Sequence, residues 1–355
     1  MKKYFIIAAA ALVTLAACTK NEINTPKQNQ IKFNTVTGKA TKAPLSGTTY
    51  KTTDPTFGVF CYALTDGNNW AANSADGQAY MDKIEISYNG TDKIWEPANT
   101  YYWPLSGSLT FTGFSPYSEA SKVAYAPATK KLTVTDYVAA ATIAAQTDLM
   151  WANTQKDLTD NQSTYTSEIE TSTLEGVNMV FHHALSQVKF FVKKAAGLDD
   201  YTITVNSITF NAMSTGTLTV TDDAPAWGAA TVKAAYDSEG SNVVAPNNSE
   251  AFAKFGKIVS DNLIGNMMVP QTLTAATPLA ADDQTFTITY SLKKGTVDLG
   301  QTSKTVALKT TDVTAWEPNK IYNYNIVIDL NKIYFNPTMV DWVDADPQPT
   351  QITVQ

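Results

Sequence analysis

The stretch Tyr322-Asn323-Tyr324-Asn325-Ile326-Val327-Ile328-Asp329-Leu330 places an apolar residue at every second position. Side chains of a β-strand point alternately to the two faces of a sheet, so this spacing predicts a strand with one face on a core. Further segments repeat the pattern between turn-forming residues, and they contain Phe286, Ile288, Tyr290 and Leu292; Val188, Phe190 and Val192; Leu132 and Val134; Ile84, Ile86 and Tyr88; and Leu218 and Val220. The chain is therefore predicted to be all-β.

One predicted strand changes its phase. In Tyr201-Thr202-Ile203-Thr204-Val205 the apolar residues are odd-numbered, whereas Ile208 and Phe210 are even-numbered. A shift of one residue moves every side chain to the other face, so we predict a bulge near Asn206-Ser207.

Helical periodicity is scarce. The one helix candidate is residues 249–259, where Ser249 suits an N-cap and Phe252, Phe255 and Val259 recur on one side. Parallel sheets need crossover connections that are usually helical, so the scarcity of helices predicts antiparallel sandwiches.

Residues 1–17 have the pattern of a lipoprotein signal peptide. Lys2 and Lys3 form a charged start, residues 5–13 are apolar, and Leu15-Ala16-Ala17 places small residues before Cys18. The apolar run is too short for a permanent membrane span. We therefore expect cleavage before Cys18 and attachment of fatty acyl chains such as palmitate, which would anchor the protein to the outer membrane. A plain secretory peptide with a chance cysteine is the alternative.

The composition argues against nucleic acid as a partner. The formal net charge is -7 at pH 7, whereas nucleic-acid binding requires clustered positive charge. All basic side chains are lysines, so the guanidinium fork that binds carboxylates and phosphates is absent from the sequence. With Cys18 acylated, Cys61 has no disulfide partner, and its apolar surroundings in sequence predict a buried, inert thiol. We expect no cofactor.

The length of the mature chain predicts two domains, since about 335 residues exceed one typical domain. Residues 156–176 are rich in Thr and Ser and lack strong periodicity, so we place the boundary there. This gives an N-terminal β-sandwich domain at residues 43–175 and a C-terminal β-sandwich domain at residues 176–355. A lipidated tether and candidate propeptide strand precede them at residues 18–42.

Several motifs, in this order, resemble the fimbrillin family of Bacteroidales. They are Trp95 with Tyr101-Tyr102-Trp103-Pro104 and Leu109-Thr110-Phe111, then Val180–Phe190, Met268-Val269-Pro270-Gln271, Trp316–Tyr324 and Val340-Asp341-Trp342. The resemblance spans nearly the whole chain and implies two transthyretin-like antiparallel β-sandwich domains. It also implies a structural fimbrial (pilus) subunit, exposed on the cell outer membrane or in the fimbrium, that mediates surface adhesion. Its partners would be other fimbrial subunits or copies of itself, with a host protein or glycan as a further candidate.

The resemblance also suggests how subunits assemble. Residues 31–36 have strand character and precede Thr41-Lys42-Ala43, where relatives often carry Thr-Arg-Ala as the maturation site of a trypsin-like protease. Cleavage between Lys42 and Ala43 would release the segment that carries Phe33. The sheet edges left behind could be completed by a strand from another subunit.

The absence of arginine leaves two alternatives for that cleavage, because an arginine-specific protease has no site in this sequence. A lysine-directed or less selective protease cuts the chain, or the uncut protein stays on the membrane as an anchor or accessory subunit.

The C-terminus supplies a candidate donor strand. Gln351-Ile352-Thr353-Val354-Gln355 alternates and follows a Pro-containing spacer at residues 344–349. Ile352 and Val354 are its apolar residues. A final strand that pairs within its own domain is the alternative.

No recognisable enzyme site is present in the sequence. His182 and His183 are adjacent on a predicted strand and point to opposite faces, so we expect one in the core, one exposed, and no shared metal or nucleophile. The carboxylates Glu168, Glu170 and Glu175 lie in a polar segment and are expected to be solvated. There is no Gly-x-Ser-x-Gly elbow, phosphate loop or calcium loop. We predict that the protein is not an enzyme.

The alternative function is that of a carbohydrate-binding outer-membrane surface lipoprotein. Aromatic side chains in the first half of the chain could stack on sugar rings, namely Trp70, Trp95, Tyr101, Tyr102, Trp103 and Trp151. Aromatic residues that alternate along a strand more often fill a core, which favours the fimbrial interpretation. The sequons at Asn89 and Asn161 carry little weight.

Overall fold

The computed structural model describes residues 30–37, 56–91, 94–166, 173–259, 261–330 and 333–342. Strands dominate these residues. In chain order they are β1 (Phe33–Thr37), β2 (Phe57–Leu64), β3 (Gln78–Asn89), β4 (Ile94–Pro97), β5 (Ser108–Ser115), β6 (Val123–Ala126), β7 (Lys131–Val138), β8 (Met150–Leu158), β9 (Gln162–Thr166), β10 (Thr173–His183), β11 (Ser186–Lys194), β12 (Tyr201–Thr221), β13 (Ala224–Trp227), β14 (Thr231–Asp237), β15 (Val243–Val244), β16 (Ala253–Phe255), β17 (Lys257–Val259), β18 (Asn262–Ile264), β19 (Asn266–Met268), β20 (Gln271–Thr272), β21 (Thr285–Lys294), β22 (Val297–Ala307), β23 (Ala315–Trp316), β24 (Lys320–Ile328) and β25 (Ile333–Asp341).

The helical segments are short. α1 (Trp70–Asn73) is capped by the Asn69 side chain, which accepts a hydrogen bond from the backbone N–H of Ala72 at 3.0 Å. The others are 3₁₀ turns at Ser74–Asp76, Tyr117–Lys122, Pro127–Thr129 and Ile143–Ala145.

The first sheet closes on itself through β1. Its strand order is β1-β4-β3-β2-β5-β8-β10-β9, and β1 also pairs with β10. Strands β1, β4, β3, β2, β5, β8 and β10 therefore form a continuous ring. The ring has an apolar core of Ile31, Phe33, Phe57, Val59, Cys61, Met81, Ile86, Trp95, Trp103, Leu109, Phe111, Met150, Ala152, Val177, Met179 and Phe181.

Two further sheets pack face to face and form a sandwich. One has the order β16-β11-β24-β25 with β19 on β11, and the other has the order β22-β21-β12-β7-β6 with β13, β14 and β15 on β12. The rings of Phe190 on β11 lie 5.6 Å from Phe210 and 5.9 Å from Phe286 on the facing sheet. The pairs β17–β18 and β20–β23 are separate two-stranded sheets.

The ring and the sandwich share a core through β2. Val59 and Cys61 face the core of the ring, whereas Phe60 and Tyr62 belong to the core of the sandwich. The rings of Phe60 and Tyr62 lie 5.8 and 5.6 Å from Tyr125 on β6. Both faces of β2 are buried, so its sequence reads as an apolar run without strict alternation.

The predicted all-β class is confirmed, and the alternating segments are strands β3, β7, β11, β12, β21 and β24. The predicted bulge is also present, because the pairing of β12 with β21 shifts register between Val205 and Ser207. Two pairings are parallel, those of β1 with β10 and of β11 with β24. The other strand pairs are antiparallel.

The helix predicted at residues 249–259 is wrong. Residues 253–255 form β16 against β11, and residues 257–259 form β17. Gly256 has a φ of +148°, which breaks a right-handed helix between them. Phe255 is 1% exposed opposite Phe190, so burial against β11 outweighs the weak helical periodicity.

The boundary predicted between residues 175 and 176 falls inside β10, a single strand of the first sheet. In addition, β6 and β7 precede that boundary but join the sheet of β12. The chain therefore passes between ring and sandwich more than once, which a boundary drawn from local composition does not capture. The division into two domains stays a prediction.

Candidate functional site: the slot occupied by the first strand

The candidate site is the β1 slot, defined as the space between β4 and β10 that residues 30–37 occupy. β1 pairs with β10 in parallel from Phe33 opposite Val177 to Thr37 opposite Phe181. On its other side, β4 contributes one pair, Phe33 opposite Trp95. A short strand thus closes the ring with few backbone contacts on one edge.

Two side chains fill the slot from the inside. Ile31 is 2% exposed and Phe33 is fully buried. The Phe33 ring lies 6.3 Å from Phe57 and 5.9 Å from Phe111, in edge-on contacts. Alternation of the sequence turns both residues to the core, while Lys32 between them is half-buried. The side chains thus supply the apolar part of the site.

Backbone groups hold the same segment from both edges. The Ile31 N–H donates to the Tyr101 carbonyl at 2.9 Å on the β4 side, where Gln30 also bridges to Tyr102. On the β10 side the Val177 N–H donates to the Lys32 carbonyl at 2.7 Å. These contacts depend on the backbone of residues 31 and 32 and not on their side chains.

On the β10 side, Asn161 makes two further hydrogen bonds to the backbone of this segment. Its Nδ2 donates to the Gln30 carbonyl at 2.9 Å, and its Oδ1 accepts a longer bond of 3.4 Å from the Lys32 N–H. The same Oδ1 accepts from Trp103 Nε1 at 2.9 Å, and Trp103 is itself buried against Phe111. The buried indole therefore fixes the orientation of the carboxamide that binds the strand.

Gly176 allows the close approach of β1. A Cβ atom at this position would lie 3.0 Å from the Lys32 carbonyl oxygen and 3.1 Å from the carbonyl carbons of Lys32 and Phe33. These are backbone atoms of a paired strand and cannot rotate away. A side chain at residue 176 would push β1 out of its register.

The structure does not describe five of the residues that the sequence predicts to be functional, namely Cys18, Lys42, Ala43, Ile352 and Val354. Glu168 and Glu170 also lie outside the described residues. The candidate maturation site and donor strand therefore stay predictions, as does lipidation.

The histidine prediction is wrong in one respect, because neither ring is exposed. His183 is 6% exposed, and its Nδ1 lies 2.7 Å from Asp148 Oδ2. His182 is partly buried and stacks on Trp151 with ring centroids 4.7 Å apart. Burial and the neighbouring His183 lower the pKa of His182, while Asp223 opposes that shift. Each histidine packs against its own aromatic partner.

The aromatic platform proposed for sugar rings is not formed by its tryptophans. Trp70, Trp95, Trp103 and Trp151 are each no more than 5% exposed, because they fill the cores of ring and sandwich. Tyr102 is 40% exposed. The tryptophan rings on which carbohydrate binding was predicted are therefore not available to stack on a sugar.

The residues that the structure describes offer no group of three or more His, Cys, Asp or Glu side chains able to hold a metal ion. Cys61 is fully buried, and burial raises the pKa of its thiol, in keeping with the predicted inert role. In the same part of the chain, no helix has the length and apolar character to cross a membrane.

The closed sheet and the sandwich together define an all-β protein, and its fold is similar to that of a solved fimbrial protein. A crystal structure of a fimbrial protein from Bacteroides vulgatus matches with a TM-score of 0.58 and 17% sequence identity, over 88% of this chain and 99% of that one. The tip fimbrial protein Mfa3 from Porphyromonas gingivalis, with a C-terminal truncation, matches at 11% identity and a TM-score of 0.37, over 82% of this chain and 96% of that one. None of the curated proteins matches this chain.

The chain belongs to the fimbrillin-like family, whose model matches residues 41–342. The predicted family is confirmed. The protein is therefore a fimbrial subunit located at the cell surface or in the fimbrium, and its family is one of structural proteins, not of enzymes.

Sequence reasoning did not find Asn161, Trp103 and Gly176 as parts of one site. In the sequence, Asn161 stands out only as part of a sequon, and Trp103 only as part of an aromatic motif and of the candidate sugar platform. A polar residue that binds backbone far away in sequence leaves no local pattern. Gly176, at the end of a Thr/Ser-rich segment and before an apolar run, was the one available signal.

Proposed function

We propose that the protein is exported as a lipoprotein acylated at Cys18, and that it assembles into fimbriae by exchange of the strand in the β1 slot. Cleavage between Lys42 and Ala43 separates the segment that contains β1 from the rest of the chain. A strand from another subunit then replaces it. The observation that carries this proposal is the closure of the ring by β1 alone, with Phe33 fully buried.

Release of β1 would expose an apolar groove with an unpaired strand edge. Phe57, Phe111 and Val177 would lose their contacts with Phe33 and Ile31, and the β10 edge would lose its backbone partner. Full burial of one large apolar side chain is worth about 1.5–3 kcal/mol, and unpaired strand edges invite pairing. A donor strand that restores both the apolar contacts and the backbone pairing with β10 would therefore bind strongly.

The limits of the family match support the same proposal. The match begins at residue 41, next to Lys42, and ends at Trp342. It leaves out both β1 and the candidate donor residues Ile352 and Val354. If the chain is not cut, the same architecture serves as a membrane-bound anchor with a permanently occupied slot.

A cleavage-resistant variant tests the proposal. Lys39→Gln, Lys42→Gln and Lys51→Gln together remove all three lysines of the linker between β1 and β2 and leave the described residues unchanged. We expect this variant to reach the surface but to give no ladder of polymers on SDS gels. Ladders equal to those of the wild type would contradict cleavage-dependent exchange in this linker.

Deletion of residues 350–355 tests the donor. We expect a folded subunit that caps polymers instead of extending them. Normal assembly after the deletion would eliminate the donor role, and loss of folding would support a final strand within its own domain.

A further inference from the structure

The Asn161 carboxamide has the geometry of a backbone peptide group. In a parallel ladder, a residue on one strand donates to the carbonyl before its partner residue and accepts from the N–H after it. Asn161 does this around Ile31, because it donates to the Gln30 carbonyl and accepts from the Lys32 N–H. The side chain therefore continues the parallel ladder between β1 and β10 by one step beyond Val177.

The continuation falls where β10 itself no longer pairs with β1. The described register of the two strands begins at Phe33 opposite Val177, and the preceding Gly176 pairs with Gln162 of β9. Asn161 thus supplies the pairing at residue 31 that the backbone of β10 does not make. Trp103 Nε1, bonded to Oδ1 at 2.9 Å, holds the carboxamide in that orientation.

We propose that Asn161 sets the register of whichever strand fills the β1 slot, by binding the backbone on either side of the first buried residue. This inference rests on the proposed strand exchange and deepens it. Because Asn161 hydrogen-bonds only to backbone groups, it can bind strands of different sequence. A strand slipped by one residue would turn its apolar side chains outward, and a strand slipped by two would leave one apolar pocket empty.

The occupant that fits this register is the C-terminal segment of a second copy. Residues 30–34 read Gln-Ile-Lys-Phe-Asn, and residues 351–355 read Gln-Ile-Thr-Val-Gln. The two share a glutamine, an isoleucine, a polar residue, an apolar residue and an amide in the same order. Aligned in this way, Ile352 takes the place of Ile31, Val354 that of Phe33, and Asn161 binds the backbone of Gln351 and Thr353.

Peptide replacement in a nicked protein tests the proposal. The full mature chain, with Cys18→Ser to prevent acylation, receives a specific protease site at residues 41–43 and is cut there. The probe is a synthetic peptide of residues 343–355 with a photoreactive residue at position 352. Its affinity is measured before and after cutting, and its crosslink sites are mapped by mass spectrometry.

We expect binding only after cutting, and one set of crosslinks around the pocket of Ile31. Asn161→Ala removes two backbone hydrogen bonds and should weaken binding about tenfold or more. It should also spread the crosslinks to positions two residues away, which a merely structural role would not do. Asn161→Asp keeps the acceptor and loses the donor, so its peptide affinity should lie between those of the wild type and the Asn161→Ala protein. Asn68→Ala, an exposed asparagine bonded to Thr65, is the matched control and should change neither readout.

Other outcomes separate the claims. Wild-type affinity and an unchanged crosslink map in the Asn161→Ala protein would overturn the register role and leave strand exchange intact. Binding of a residue 30–37 peptide but not of the C-terminal peptide would overturn the occupant. Failure of both peptides to bind the nicked protein would overturn strand exchange itself. Thermal unfolding of the uncut variants shows whether each is folded.

Discussion

The imidazole of His183 stacks on the indole of Trp342, with ring centroids 4.1 Å apart and planes within 6° of parallel. His183 is the last residue of β10 in the closed sheet, and Trp342 directly follows β25 of the sandwich. Asp148 Oδ2 lies 2.7 Å from Nδ1 of the same imidazole. The contact therefore ties the start of the C-terminal segment to the ring that contains the β1 slot.

Trp342→Ala should lower the free energy of unfolding by about 3 kcal/mol, because it removes a large buried side chain and an aromatic stack. Chemical denaturation of the mature chain measures this loss. Met339→Ala, on the preceding strand β25 and 49% exposed, is the control and should change stability by less than about 0.5 kcal/mol. Equal effects of the two substitutions would show that the stack contributes nothing specific.

Acidification should destabilise the protein in part through His182. Burial lowers its pKa below the usual 6.5, so the unfolded chain binds the proton first. The contribution of this residue is fully present above about pH 6.5 and is lost as the pH falls below that value. His182→Phe keeps a ring beside Trp151 but cannot titrate.

Unfolding midpoints measured from pH 7 to pH 5 should therefore fall less in the His182→Phe protein than in the wild type. His183 and the carboxylates are present in both proteins, so destabilisation that does not involve His182 affects both proteins alike. Parallel pH profiles would contradict a buried, neutral His182.

Phe33→Ala should destabilise the ring by about 3–5 kcal/mol, because the side chain is fully buried among aromatic rings. Denaturant unfolding of the uncut chain measures the change. Lys32→Ala, one residue away and half-buried, should have a small effect because the contacts of residue 32 in the slot are made by its backbone. A small effect of Phe33→Ala would mean that β1 is not a structural part of the ring.

Gly176→Ala should loosen β1 without a change in any side chain of the slot. The added Cβ meets the backbone of Lys32 and Phe33 at 3.0–3.1 Å, so the strand must move away. Hydrogen exchange at residues 31–35 should become faster, and Gly176→Val should have a larger effect. Gly90→Ala has no heavy atom within 4 Å of the new Cβ and is the matched control. Unchanged exchange in the Gly176→Ala protein would show that the close approach is not required.

The sequence predicted the strand content well because burial follows period 2 in strands such as β12 and β21. The helix predicted at residues 249–259 failed because Gly256 has a positive φ and Phe255 pairs with the distant Phe190. Neither feature can be seen in the local sequence pattern. The sequence also failed to show which strands share a sheet, since β7 pairs with the distant β12 and carries β6 into the same sheet. Register between distant strands leaves no local signal.

The candidate site was predictable only in part. The alternation of Ile31 and Phe33 identified an apolar strand before Lys42, and the structure places that strand between β4 and β10. The contacts that hold it come from Asn161, Gly176 and Tyr101, which lie on three separate segments. Such groups meet only once the ring has closed.

If β1 leaves its slot when the subunit assembles, the N-terminal sequence of the assembled protein will show it. Surface protein is sheared from cells, polymers are separated as a heat-sensitive ladder on SDS gels, and the N-terminus of each band is determined by mass spectrometry. We expect chains in the ladder to begin near Ala43 and to lack residues 30–37. Polymers whose chains all begin at an acylated Cys18 would contradict the release of β1.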